Sequence, residues 1–128
     1  MKLPLAIPEP SALIIDDEED ICFLLTSILK KINIHTTHVH NLRQANTALD
    51  EAVPEIIFLD NYLPDGKGIH YIQHIKSKIP AAKIIVITAQ DSVAEKSFAL
   101  QTGADDFIAK PFNRELIYQS IHKLMTDG

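Results

Sequence analysis

The chain has 128 residues, enough for one domain with a well-formed core. Apolar residues make up 46% and charged residues 23%, a balance that excludes a disordered chain. A formal charge of −5, no Trp and few aromatics give neither a phosphate-binding face nor a base-stacking platform, so direct nucleic-acid binding is not expected.

Ala12-Leu13-Ile14-Ile15 is a continuous apolar run, the pattern of a strand buried on both faces. Ile21, Leu24, Leu25, Ile28, Leu29 and Ile32 follow at helical spacing, behind acids that suit a helix N-terminus. Asn33 to His40 is rich in β-branched residues with polar alternation and predicts an edge or near-edge strand. Leu42, Ala45, Leu49 and Ala52 mark a second helix. Glu55-Ile56-Ile57-Phe58-Leu59 is a second buried strand, ending at Asp60. Pro64-Asp65-Gly66-Lys67-Gly68 reads as a loop, and Ile69, Ile72 and Ile75 begin a third helix. Lys83-Ile84-Ile85-Val86-Ile87 is another strand, ending at Thr88. A helix through Ala94, Ser97, Phe98 and Leu100 stops at Gly103. Asp106-Phe107-Ile108-Ala109 forms the last strand, before Lys110-Pro111. Leu116, Ile117, Ser120, Ile121 and Leu124 complete an amphipathic helix.

Five βα units with buried central strands predict an α/β fold: a doubly wound (βα)5 parallel sheet with helices on both faces. Sheets of this kind take the flavodoxin-like strand order 2-1-3-4-5, and the same order is expected here. Residues 1–10 are read as an N-terminal extension and 11–128 as the domain. Cys22 is the only cysteine, which rules out an internal disulfide and suits a reducing compartment. Pro4, Pro8 and Pro10 break any signal-peptide core, and no apolar run nears the roughly 20 residues of a membrane span, so a cytoplasmic protein is expected.

In such a sheet a ligand sits beyond the carboxyl ends of the strands. Those ends carry Asp16-Asp17, Asp60, Thr88 and Lys110. Three carboxylates brought together repel one another and hold their protons unless a cation intervenes. A hard divalent ion such as Mg²⁺, shared with a phosphoryl oxygen, relieves that repulsion. Lys110 and Thr88 would bind other phosphoryl oxygens, leaving Asp60 as nucleophile toward a phosphoryl donor.

The chain resembles a response-regulator receiver domain of two-component signalling from about Ser11 to Met125. The resemblance rests on Ile14-Ile15-Asp16-Asp17-Glu18, Leu59-Asp60-Asn61-Tyr62-Leu63-Pro64 with Gly68, Ile87-Thr88-Ala89, and Gly103-Ala104-Asp105-Asp106-Phe107-Ile108-Ala109-Lys110-Pro111-Phe112. It implies that Asp60 is the phosphoacceptor. It further implies that Asp16, Asp17, Asp60 and the Tyr62 carbonyl hold Mg²⁺, with Mn²⁺ as an alternative, Asp17 directly and Asp16 through water. Thr88 and Lys110 would read the phosphoryl group, and Lys110-Pro111 would be cis. The ring of Phe107 would turn inward as Thr88 moves, changing the face made by the fourth helix, fifth strand and fifth helix.

Tyr62 and Gln90 occupy positions that tune phosphoryl lifetime in this family. A bulky Tyr62 is expected to hinder attacking water and slow dephosphorylation. The implied partners are a sensor histidine kinase or phosphotransfer protein, an effector domain or downstream protein, and a phosphorylation-linked homodimer. The implied role is a signalling switch that catalyses its own phosphorylation and dephosphorylation, not a turnover enzyme. The cognate kinase, output and pathway are not legible.

Two other functions fit part of this residue set. A phosphatase of the haloacid-dehalogenase type also uses Asp, Thr and Lys, but wants Asp-x-Asp after its first strand, where position 18 is Glu. A receiver used only for interaction would not need the full acidic, Thr and Lys set. Singly, these residues have plainer readings: Asp16 to Asp20 as a solvated helix start, Asp60 as a turn residue, Thr88 as a cap, Lys110 as a solvated charge and Phe107 as core. Glu18, Glu19 and Asp20 are kept as dipole and solubility residues. His38 and His40 alternate onto one strand face, and His70 and His74 lie four apart; all are read as surface histidines. Cys22 is read as packed on the first helix.

Overall fold

In the computed structural model, which describes residues 10–89 and 92–126, five βα units alternate along the chain. They are β1 (Ser11–Ile15), α1 (Glu19–Lys30), β2 (His35–Val39), α2 (Leu42–Glu51), β3 (Ile56–Asp60), α3 (Ile72–Lys78), β4 (Lys83–Thr88), α4 (Val93–Thr102), β5 (Asp106–Ala109) and α5 (Arg114–Thr126). The strands form one parallel sheet in the order β2-β1-β3-β4-β5. Between β3 and α3 lie a small antiparallel hairpin, Tyr62–Leu63 against Gly66–Lys67, and a 3-10 turn at Gly68–His70.

Alternation along the strands sorts the core into two layers, because successive side chains leave opposite faces. Leu13, Ile15, Ile57, Leu59, Ile84, Val86 and Phe107 pack with Ala45, Leu49, Ile72, Ile75 and Ala99 of α2, α3 and α4. Ala12, Ile14, Ile56, Phe58, Ile85, Ile87 and Ile108 pack with Cys22, Leu25, Ile28 and Leu29 of α1, and with Ile117 and Ile121 of α5. Helices therefore cover both faces, as the expected doubly wound sheet requires. Phe58 is wholly buried at the centre, where truncation to Ala costs about 3–5 kcal/mol.

Helix starts are set by short polar side chains. Asn41 accepts from the Gln44 N–H at 2.8 Å, Ser92 from Glu95 at 3.2 Å and Asn113 from Leu116 at 2.9 Å. Asp65, far along the chain, adds bonds from the Leu42 and Arg43 N–H groups at 2.9 and 3.0 Å, so the loop after β3 is pinned to the start of α2. Gly103, at φ 130°, ends α4 in a conformation that side chains other than glycine's resist.

Three local expectations shift. The second strand begins at His35 rather than Asn33, because Asn33 takes φ 62° in the turn after α1. The third helix begins at Ile72, since the 3-10 turn takes Ile69 and His70 out of it. On α4, Phe98 and Leu100 are exposed and Ala99 is the buried residue, so that helix is the most lightly seated of the five.

Candidate functional site

The parallel register brings the strand ends level. Ile15 pairs with Leu59, Asp60 with Ile87 and Thr88 with Ala109, so Asp16, Asp60, Thr88 and Lys110 emerge at one edge. The Lys110 N–H donates to the Thr88 carbonyl at 2.7 Å, fixing the two phosphoryl-reading candidates relative to each other. The Lys110–Pro111 bond is cis. Asp16, Asp60 and Thr88 are buried, while Asp17 is exposed.

Oxygens from Asp16, Asp17 and Asp60 all lie within 4.8 Å of one another. Asp16 Oδ1 accepts from the Glu18 N–H at 2.8 Å, and Asp60 Oδ1 accepts a long bond from the Tyr62 N–H at 3.4 Å. Lys110 Nζ stands 3.0 Å from Asp16 Oδ2 and 3.7 Å from Asp60 Oδ1. Burial first, and the Asp16 charge second, push the Asp60 carboxyl up to about 7 against the pull of Lys110. Burial likewise raises Asp16, opposed by its bond from Glu18 and by Lys110.

A hard divalent cation fits this donor set. Asp16 Oδ2 is buried and lacks a hydrogen bond of good geometry, and the converging ligand atoms are all carboxylate oxygens, the kind Mg²⁺ and Ca²⁺ take. Asp16, Asp17 and Asp60 would hold the ion, which would neutralise charge on the acids and on an incoming phosphoryl group.

Contacts of Glu18, Asn61 and Glu95 were not legible in the sequence. Glu18 accepts from Lys110 Nζ at 2.6 Å, so it is more than a helix-dipole residue. Lys110 loses basicity to burial, but its bond to Glu18 and its ion pair with Asp16 more than restore it, and its ammonium form is secured. Asn61 is buried and holds the acceptor loop: its N–H donates to the Ile87 carbonyl at 3.1 Å, its carbonyl accepts from Gly68 at 2.8 Å and its Oδ1 from Ile69 at 3.1 Å. Glu95, in the first turn of α4, accepts from Tyr62 Oη and from Lys67 Nζ, each at 2.7 Å. The Lys67 ammonium also sits 5.3 Å from the centre of the Tyr62 ring. These contacts join residues 92, 8, 28 and 33 positions apart.

Phe107 is buried in the core layer with Val86 and Ala99. Gln90 lies outside the described residues. Cys22 is buried, as read, and burial above all pushes its thiol up to about 11. His70 stacks edge-on against Phe98, whereas His74 Nε2 lies 2.9 Å from Asn46 Oδ1, so the two histidines point to different neighbours.

The model of the response regulator receiver domain matches residues 12–122, and the chain belongs to that family. It is 36% identical over 110 residues to the response regulator protein PilR of Pseudomonas aeruginosa, covering 83% of this chain and 25% of that protein. It is 30% identical over 115 residues to the phosphate regulon transcriptional regulatory protein PhoB of Escherichia coli, covering 88% and 50%. The chain thus spans between a quarter and a half of these relatives. A response regulator from Burkholderia pseudomallei, solved with a phosphorylated aspartic acid, calcium ion and citrate, superposes with TM-score 0.83 at 29% identity over 88% of this chain and 66% of that one. The beryllofluoride-activated NtrC4 receiver domain dimer superposes with TM-score 0.85 at 35% identity over 89% and 94%.

Proposed function

We propose that Asp60 takes a phosphoryl group from a histidine kinase or phosphotransfer protein in an Mg²⁺-dependent reaction, and that the resulting change regulates an output domain or partner through the α4-β5-α5 face. The observation that carries this reading is the meeting of Asp16, Asp17 and Asp60 oxygens within 4.8 Å beside Lys110.

An Asp60 oxygen attacks phosphorus, the phosphorus–nitrogen bond of the donor breaks, and its imidazole leaves with the bonding pair. The product is an acyl phosphate on Asp60, and water later returns inorganic phosphate and the free acid. A bound Mg²⁺ would supply charge neutralisation. Asp16 and Asp17 would hold it with Asp60 and the Tyr62 carbonyl. Lys110 must leave Glu18 and swing to a phosphoryl oxygen, and the Thr88 hydroxyl would donate to another. Residues 11–128 act here as one receiver unit, residues 1–10 as an extension, in a cytoplasmic setting. The chain is a switch rather than a turnover enzyme.

The test is incubation with acetyl phosphate and Mg²⁺, followed by intact mass and size exclusion. One phosphoryl group on the wild type, absent without metal and absent in Asp60→Asn, is the expected result. Equal labelling of Asp60→Asn would overturn the assignment. A dimer that forms only on phosphorylation would support pairing through α4-β5-α5.

A further inference from the structure

Away from the acidic pocket, α1 and β2 build a second cluster of ligand-type side chains. Alternate residues of β2, Thr36 and His38, and His40 just beyond it, face α1, which runs back over the strand and presents Thr26, Cys22 and Glu19 at spacings of four and three. The two rows meet in order. Thr36 and Thr26 hydroxyls hydrogen-bond at 3.2 Å. Cys22 Sγ and ring nitrogens of His38 and His40 all lie within 4.8 Å of one another. The Glu19 carboxylate lies 3.7 Å from His38 Nε2 and 3.0 Å from His40 Nε2.

We propose that Glu19, Cys22, His38 and His40 form a second metal site, for a thiolate- and imidazole-preferring divalent cation such as Zn²⁺. One sulfur, two imidazole nitrogens and one carboxylate oxygen make up the four-ligand set that suits tetrahedral Zn²⁺. Mg²⁺ prefers oxygen and water, so the two sites select different metals by donor chemistry. Bond lengths of about 2.0–2.3 Å put tetrahedral ligands roughly 3.3–3.8 Å apart, so Cys22, His38 and His40 must close by up to about 1 Å. The Glu19 carboxylate, which reaches the two imidazoles but stands outside that trio, must swing further inward. Rotation of His38, exposed on the sheet's edge strand, can supply that movement.

Two features go beyond a plain pairing of Glu19 with histidine. His40 Nε2 is buried and has no hydrogen bond of good geometry despite the nearby carboxylate. The Cys22 thiol faces the imidazoles from the buried side, where an ion pair has no use for it. Ligation would release the thiol proton to solvent and free the Asp16 carbonyl oxygen, which now accepts from Sγ at 3.3 Å. Metal there would clip the edge strand to the helix that follows Asp16 and Asp17.

The experiment titrates the reduced full chain with Co²⁺ and then Zn²⁺, following visible absorption and calorimetry. The comparison pairs Asp17→Asn/Asp60→Asn, which removes the acidic pocket, with His38→Gln/His40→Gln. The first variant should still bind one equivalent, with tetrahedral Co²⁺ bands and a thiolate-to-cobalt charge-transfer band that Zn²⁺ abolishes. The histidine variant should lose at least about tenfold in affinity, together with that band. Cys22→Ser, checked for an unchanged metal-free melting transition, should lose the charge-transfer band alone or with binding. Binding that disappears in the acid variant and survives in the histidine variant would overturn the site, as would binding with no charge-transfer band in the wild type.

Discussion

At position 60 a carboxylic acid stands where ionisation is least favoured, buried at the sheet edge beside Asp16 with its oxygen 3.7 Å from Lys110. Without a divalent cation its charge works against folding. Asp60→Ala should therefore stabilise the metal-free protein at neutral pH by at least about 1 kcal/mol, read as a higher urea midpoint; a lower midpoint would contradict the electrostatic account. Gly68 is a residue of the opposite kind, needed for what it lacks. A Cβ there would lie 2.2 Å from the Asp60 carbonyl oxygen and 2.9 Å from a Leu59 side-chain carbon. Backbone cannot yield as a flexible side chain can, so Gly68→Ala must displace the acceptor loop that Asn61 holds. A loss of roughly 1–3 kcal/mol and markedly slower labelling of Asp60 by acetyl phosphate are expected. Wild-type labelling in that variant would show that the loop tolerates the shift.

Among the elements, α4 is held less by its core than by its first turn. Ala99 is its buried residue, while Glu95 is clasped by Tyr62 and Lys67 from the hairpin that follows Asp60. Bonding to Lys67 first, and to Tyr62 second, holds the Glu95 carboxyl below its usual range. The clasp thus ties the acceptor loop to the first turn of α4, beside the His70–Phe98 ring contact further along the helix. Glu95→Gln weakens the clasp and should quicken amide hydrogen exchange across α4 while leaving α1 unchanged; equal exchange in both proteins would remove the clasp from consideration. Tyr62→Ala should in addition shorten the phosphoryl half-life by opening the site to water, and an unchanged or longer half-life would sink that shielding role. The buried strands and most helices were legible from their apolar periods, and so were Asp16, Asp60, Thr88 and Lys110, because strand ends at a parallel edge must converge. The clasp and the Glu18–Lys110 bond were not. They depend on side-chain reach between chain-distant segments, which no local period encodes. Asn61 was hidden for a related reason: a polar residue after a strand reads as a turn until its three loop bonds are seen.

For the whole molecule, these acids set a dependence of stability on pH whose sign can be worked out. Asp60, raised to about 7, keeps its proton in the folded chain where the unfolded chain has released it. Between about pH 4 and pH 7 the fold binds more protons, so metal-free stability must fall as pH rises, by up to about 4 kcal/mol. Asp16 is raised as well and acts in the same direction. Glu95 and Asp65 are lowered, by Lys67 and by the Leu42 N–H in the first place, so the support they give is lost only as pH falls toward the acid end. Lys110, raised, stays charged throughout and contributes no slope in this window. Divalent metal favours the ionised carboxylates and should oppose the fall, binding more tightly as protons cease to compete. Urea midpoints at about pH 5 and pH 8, with chelator or with Mg²⁺, separate these effects. The expected pattern is a midpoint that drops with pH in chelator, drops much less in Mg²⁺, and loses most of its slope in Asp60→Asn. A metal-free midpoint that rises over that interval would mean that Lys110 alone already satisfies the three acids, and that the site's need for a cation lies with the phosphoryl group instead; a fall that survives whole in Asp60→Asn would assign the slope to a group other than Asp60.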